Sequence, residues 1–224
     1  SYYILIQYIM ARLPNGFNGG MKGRIGNIVY YTNKWGNTVA RTIGVKSGSK
    51  GGEFANQTAT ALITYLLKPV KPFIRIGFQN TPPGMEWNYH NYASSVNKLN
   101  AIKGTYPNQE VDYEKVMFAK GEMPLPANAQ VALKDNEIEF TWDADLETAG
   151  NYSRDQVMVL AFFPQSMKAM FLTSGARRVE EREVLTLPRF TSSMVIETYL
   201  AFISDDRMLM SDSVYTGQLV WDKK

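Results

Sequence analysis

The spacing of apolar positions changes character along the chain, and each change predicts an element. Residues 2–10 read YYILIQYIM, with Tyr2, Ile4, Ile6 and Tyr8 at one parity and Tyr3, Leu5 and Ile9 at the other. Tyr and Ile favour strands, and a strand apolar on both faces needs cover on both. A glycine-dense stretch follows, with Gly16, Gly19, Gly20, Gly23 and Gly26. Such density marks backbone that turns or approaches another chain closely. Two β-type runs, Ile28–Tyr31 and Thr38–Ile43, flank TNKWGN and predict a hairpin turned by Gly36-Asn37. The period then becomes helical at Phe54, Thr58, Ala61, Leu62, Tyr65 and Leu66, until Pro69 and Pro72 end or kink the helix. PFIRIGF is a short second helix or a strand. Met85, Tyr89, Tyr92, Val96 and Leu99 form one stripe and predict a helix capped by Gly104, and VDYEKVMFAKGEMP adds a strand.

From residue 130 onward the pattern is β throughout. The expected strands are Gln130–Leu133, Glu137–Trp142, Val157–Phe163, Ala169–Thr173, Val184–Leu187, Val195–Ile203 and Val214–Trp221. Seven short strands with turn residues between them predict an immunoglobulin- or fibronectin-like sandwich, with Trp142 and Tyr199 as core aromatics. The expected organisation is therefore an apolar strand or extension at 1–9, an α+β part at 10–122, a linker at 123–129 (MPLPANA) and a sandwich at 130–224.

Charge adds an asymmetry. Residues 1–80 hold ten Lys/Arg and one acid, Glu53, whereas ten bases and fifteen acids lie from 127 onward. Opposite ends suit either an anionic partner for the basic part or neighbours stacked head to tail. The bases are scattered among Gly, Thr and Tyr, which favours the second reading over nucleic acid. Residues 2–10 are too short to span a bilayer, so no membrane insertion is expected. There is no cysteine, which removes disulfides and thiolate chemistry.

Candidate chemistry is sparse. The glycine stretch lacks both G-x-x-x-x-G-K-[ST] and G-x-G-x-x-G, so it reads as structural rather than as a nucleotide cradle. His90 is the sole histidine, which leaves no imidazole pair for zinc and no triad signature, and it reads as a boundary residue. Asp143, Asp145 and Glu147 begin like a calcium loop but lack its glycine and its closing glutamate. Glu180, Glu181 and Glu183 beside Arg177, Arg178 and Arg182 read as a self-neutralising turn. Tyr30, Tyr31, Trp35, Trp87, Tyr89 and Tyr92 could stack on sugars or bases, but packing and subunit contact account for them better. No catalytic group, cofactor or metal ligand is expected.

Several segments together resemble an uncharacterised Bacteroidota domain family of unknown function. They are Met10–Arg12, then Gly16, Gly19 and the run 23–29 (GRIGNIV). Leu67–Phe78, Asn100–Pro107 with Asp112–Val116, and the closing SDSVYTG at Ser211–Gly217 complete the set. The resemblance implies no activity. The expectation is a non-enzymatic structural protein that self-assembles into an extracellular or cell-surface filament, tube or layer by donation of its N-terminal strand. The assembly residues would be Tyr2, Tyr3, Ile4, Leu5, Ile6, Tyr8, Ile9, Gly19, Gly20, Gly23 and Gly26. The alternatives are a monomeric glycan- or surface-ligand-binding module and a phage or injection-apparatus component.

Overall fold

A computed structural model describes residues 20–44, 51–82, 88–144 and 150–222. The chain divides into two compact units, 1–49 and 50–224. The described part of the first unit is an antiparallel three-stranded meander of β1 (Gly23–Ile25), β2 (Ile28–Thr32) and β3 (Thr38–Thr42). The hairpin foreseen around TNKWGN is present. Asn33 makes its turn: the side-chain Oδ1 accepts from the backbone N–H groups of Trp35 and Asn37, while Gly36 takes φ +83°.

The second unit begins with helices α1 (Gly51–Leu67), α2 (Lys71–Gly77) and α3 (Tyr89–Asn100). PFIRIGF is helical, with its proline in the first turn where no amide hydrogen bond is lost. Asn88 caps α3 by accepting from the Asn91 N–H. Gly104 does not end that helix. At φ +79° it turns a short hairpin, β4 (Ile102–Lys103) and β5 (Glu110–Val111), and of the VDYEKVMFAKGEMP segment only Val111 is in that strand, Tyr113–Lys115 forming a 3₁₀ turn.

Seven antiparallel strands follow: β6 (Ala127–Lys134), β7 (Glu137–Asp143), β8 (Gln156–Phe163), β9 (Lys168–Leu172), β10 (Arg182–Thr186), β11 (Met194–Ile203) and β12 (Val214–Trp221). They make two sheets, β10-β7-β6 and β12-β11-β8-β9. Between the sheets lies a core of Ile138, Phe140, Trp142, Val159, Phe163, Leu185, Leu200 and Phe202. This is a β-sandwich.

The other face of the four-stranded sheet is buried too. Met158, Leu160, Phe162, Tyr199, Ala201 and Ile203 pack with Ile63, Leu67, Phe73, Ile74 and Phe78 of the helical segment and with Phe118. β8 reads QVMVLAFF because neither of its faces meets water. The helices are therefore a third layer on the sandwich, and the expected separation of an α+β part from a sandwich by a linker at 123–129 is corrected. Met123, inside that segment, is buried in the inter-sheet core and bridges to Ser211, and β6 already begins at Ala127. A proline- and alanine-rich composition resembles a linker until one of its two large apolar side chains, Met123, finds a core while Leu125 stays exposed.

The strip 116–123 joins the layers by specific polar contacts. Asn97, wholly buried on α3, donates to the carbonyl oxygens of Ala93 and Met117 and accepts from the Met117 N–H at 2.8 Å. Ser213 Oγ accepts from the Phe118 and Ala119 N–H groups. At Gly77 the α2 backbone lies so close that a Cβ would overlap the Phe118 carbonyl and come within 2.9 Å of Ala119. Gly121 meets Met210 in the same manner.

Gly77→Ala and Gly121→Ala should each cost about 1–3 kcal/mol by overpacking. Asn97→Ala should cost about 1–3 kcal/mol, since it removes the partner of the half-buried Met117 N–H and carbonyl. Gly52→Ala, in the first turn of α1 with open space at its Cβ, should be neutral or slightly stabilising. Urea unfolding followed by circular dichroism checks all four variants, and equal losses at Gly52 and Gly77 would contradict the packing.

Candidate functional site

The meander has a polarity set by its register. β1 pairs with β2 as Gly23–Tyr30, Arg24–Val29 and Ile25–Ile28, and β2 pairs with β3 as Ile28–Thr42, Val29–Arg41, Tyr30–Ala40 and Tyr31–Val39. Side chains alternate along a strand, so paired residues share a face. One face carries Ile25, Ile28, Tyr30 and Ala40 with threonines and Gly23, and it holds no charge. The other sets Arg24 and Arg41 either side of Val29, beside Tyr31 and Val39. No described residue of this unit is buried: Ile25 is 49% exposed, Ile28 38% and Trp35 60%. Trp35 stands at the hairpin tip with the Lys34 ammonium 4.5 Å above its ring.

Of the residues expected to carry assembly, Tyr2, Tyr3, Ile4, Leu5, Ile6, Tyr8, Ile9 and Gly19 lie outside the described residues. Gly20, Gly23 and Gly26 belong to the meander. Gly26 turns β1 into β2 at φ +54°, a conformation that favours glycine, and a Cβ on Gly20 would come within 2.6 Å of the Thr38 hydroxyl. Both glycines thus have a task within the sheet.

The residues that carry the family resemblance in the second unit hold the layers together. Ser211 Oγ accepts from the Phe202 N–H, Ser213 holds the 116–123 strip, and the Tyr215 hydroxyl donates to Glu197 at 2.7 Å. Gly217, at φ +129°, offers its carbonyl to Thr198 at the β11 bulge. Tyr113 gives its carbonyl to the Tyr199 hydroxyl.

His90 is half-buried with Nδ1 3.4 Å from Ser94 Oγ. Among the described residues no three His, Asp or Glu side chains gather around a metal-sized space. Asp143 accepts from the Asn128 amide, while Asp145 and Glu147 lie outside the described residues. The Glu180–Glu183 turn is more ordered than a solvated charge run. Glu181 accepts from the Ala144 N–H, Glu183 from the Ala176 and Val184 N–H groups, and Arg182 pairs with Glu139 at 2.5 Å.

Sequence reasoning missed three buried polar centres: Asn97, Glu197 and the pair Asp155–Arg178. Glu197, 3% exposed, accepts from Tyr215 and Gln218, and burial together with that carboxylate raises the Tyr215 phenol. Arg178 lies 3.7 Å over the Phe202 ring, donates to the Pro124 carbonyl and stands 3.7 Å from Asp155 Oδ2. That distance is long for a hydrogen-bonded pair, and Asp155 Oδ2 and Arg178 Nε have no hydrogen-bond partner. Burial therefore outweighs the guanidinium and pushes the Asp155 carboxyl up to about 6, with Asp205 and Asp206 adding to the rise. Nothing in the local sequence signals these centres, because their members lie far apart in the chain.

An aspartate in the unfolded chain titrates near about 3.9. Folding therefore favours protonated Asp155, and this contribution is full below about pH 4 and lost as pH rises through about 6. Wild-type stability relative to Asp155→Asn should fall between about pH 4 and 6 and level off above that. Urea titrations from pH 4 to 8 measure the difference, and a pH-independent gap would refute the burial argument.

No curated protein matches the chain. Residues 20–217 match one family model, which spans the meander, the helical layer and nearly all of the sandwich. The chain belongs to the family of unknown function DUF6266.

Proposed function

We propose that this protein is a non-enzymatic structural subunit that self-assembles into an extracellular filament, tube or surface layer. The observation that carries this reading is the uncharged face of the meander, Ile25, Ile28, Tyr30 and Ala40, in a sheet with no buried residue among those described. A three-stranded sheet gains stability by laying an apolar face on something else. Each large side chain covered contributes about 1.5–3 kcal/mol. A neighbouring copy is the favoured cover on grounds of charge. The first unit, 1–49, holds six Lys/Arg and no acid, whereas residues 50–224 hold 18 Lys/Arg and 21 Asp/Glu. Head-to-tail contact between unlike units is heterologous and propagates.

Two further observations support the reading. β9 and β10 end their sheets, so each has an outer edge suited to an added strand, the role proposed for residues 1–9. The strand order β10-β7-β6 over β12-β11-β8-β9 supports an immunoglobulin- or fibronectin-like assignment of the sandwich, an architecture frequent at cell surfaces.

Light scattering on a sizing column and negative-stain microscopy of the full chain test this. Ordered species far above the mass of one chain are expected. Ile25→Glu with Ile28→Glu should return them to single chains without moving the unfolding midpoint of residues 50–224. A wild-type protein that stays monomeric at high concentration would overturn the proposal.

A further inference from the structure

The charged face of the meander differs in chemistry from the face proposed for assembly. Register sets Arg24 and Arg41 on either side of Val29, so their Cα atoms stand two strand spacings apart, roughly 10 Å. Arg24, Arg41 and Tyr31 are exposed, and Val29 and Val39 beside them are half-buried. Trp35 is exposed at the hairpin tip, with the Lys34 ammonium against its ring. The unit holds no acid to offset its bases. Residues 1–49 contain Arg12, Lys22, Arg24, Lys34, Arg41 and Lys46 and neither Asp nor Glu. Those of its residues that lie outside the described ones therefore contribute two more bases, Arg12 and Lys46, and no acid.

We infer that this face docks on an anionic lipid surface, with Trp35 at the level of the headgroups. Charge complementarity selects an anionic partner, and the accompanying side chains select a bilayer. Bases attract an anionic leaflet when they lie within a Debye length of it, about 8–10 Å at moderate salt. A three-stranded sheet presents its arginines on one side, where both can reach the same plane. Indole and phenol rings favour the membrane–water interface, because the ring body meets acyl chains while the N–H or O–H meets water. Val29 and Val39 suit the same boundary. Single-stranded nucleic acid instead takes ring stacking from its platform and gains nothing from two valines. The contact is peripheral, confined to one face of the sheet and its tip. Assembly through the opposite face leaves this one outward, and the inference does not require assembly.

Flotation of the full chain on a density gradient tests this, with vesicles of phosphatidylcholine alone or mixed with phosphatidylglycerol. Vesicles rise whereas protein assemblies sink, so lipid binding and self-assembly are read separately. Flotation is expected only with the anionic vesicles and should weaken as salt is raised. Arg24→Glu with Arg41→Glu should weaken binding at least tenfold. Lys68→Glu with Lys71→Glu, the same charge change at exposed positions of the second unit, should leave it unaltered. Arg24 Nε also donates to the Gly26 carbonyl, so Arg41→Glu alone, which spares that turn, should weaken binding in the same direction. Trp35 is the sole tryptophan of residues 1–49. Its emission should shift to the blue on anionic vesicles, and Trp35→Phe should abolish that shift. Equal binding to neutral and anionic vesicles, binding to neither, equal losses in the two double variants, or tighter binding of a single-stranded oligonucleotide than of anionic vesicles would overturn the inference.

Discussion

The double burial of one sheet is the constraint on which the second unit depends. β8 and β11 are central in the four-stranded sheet, and their side chains enter two different cores. Removing the helical layer would expose Met158, Leu160, Phe162, Tyr199, Ala201 and Ile203 together, so the sandwich is not a module that the helices merely adjoin. This explains why the strip 116–123 is tied so tightly, to α3 through Asn97, to α2 at Gly77 and to the 210–213 segment through Ser213 and Gly121. Each tie holds a cover in place over an apolar sheet.

Polar groups inside this layered structure act as locators more than as sources of stability. A buried ion pair separated by 3.7 Å, such as Asp155–Arg178, recovers little of the cost of dehydrating both charges. What it does is hold a crossing point. Arg178 covers Phe202, its carbonyl accepts from Trp142 Nε1, and its guanidinium reaches Pro124. Glu197 likewise ties Tyr215 and Gln218 of β12 to β11 beside the bulge. Ser211, Ser213, Tyr215 and Gly217, which lie within the closing segment of the family match, take part in contacts of this kind.

The first unit obeys the opposite rule. Its strands are well specified by turn chemistry at Gly26 and Asn33, yet none of its described residues is buried.

Local signals in the sequence determined much of the secondary structure. The TNKWGN hairpin, the first helix and the seven strands after residue 126 were legible because turn residues and periodicity act within a few positions. Gly20 and Gly26 were legible as close-packed and turning backbone for the same reason. The sequence also held an unused cue, the unbroken apolar run of β8, which already required cover on both faces. Tertiary structure alone decided that the cover is the helical segment, that Met123 is core rather than linker, and that Gly104 turns a hairpin. It alone joined Asp155 to Arg178. Those outcomes depend on which distant surfaces meet, and a linear pattern encodes the need for a partner without encoding its address.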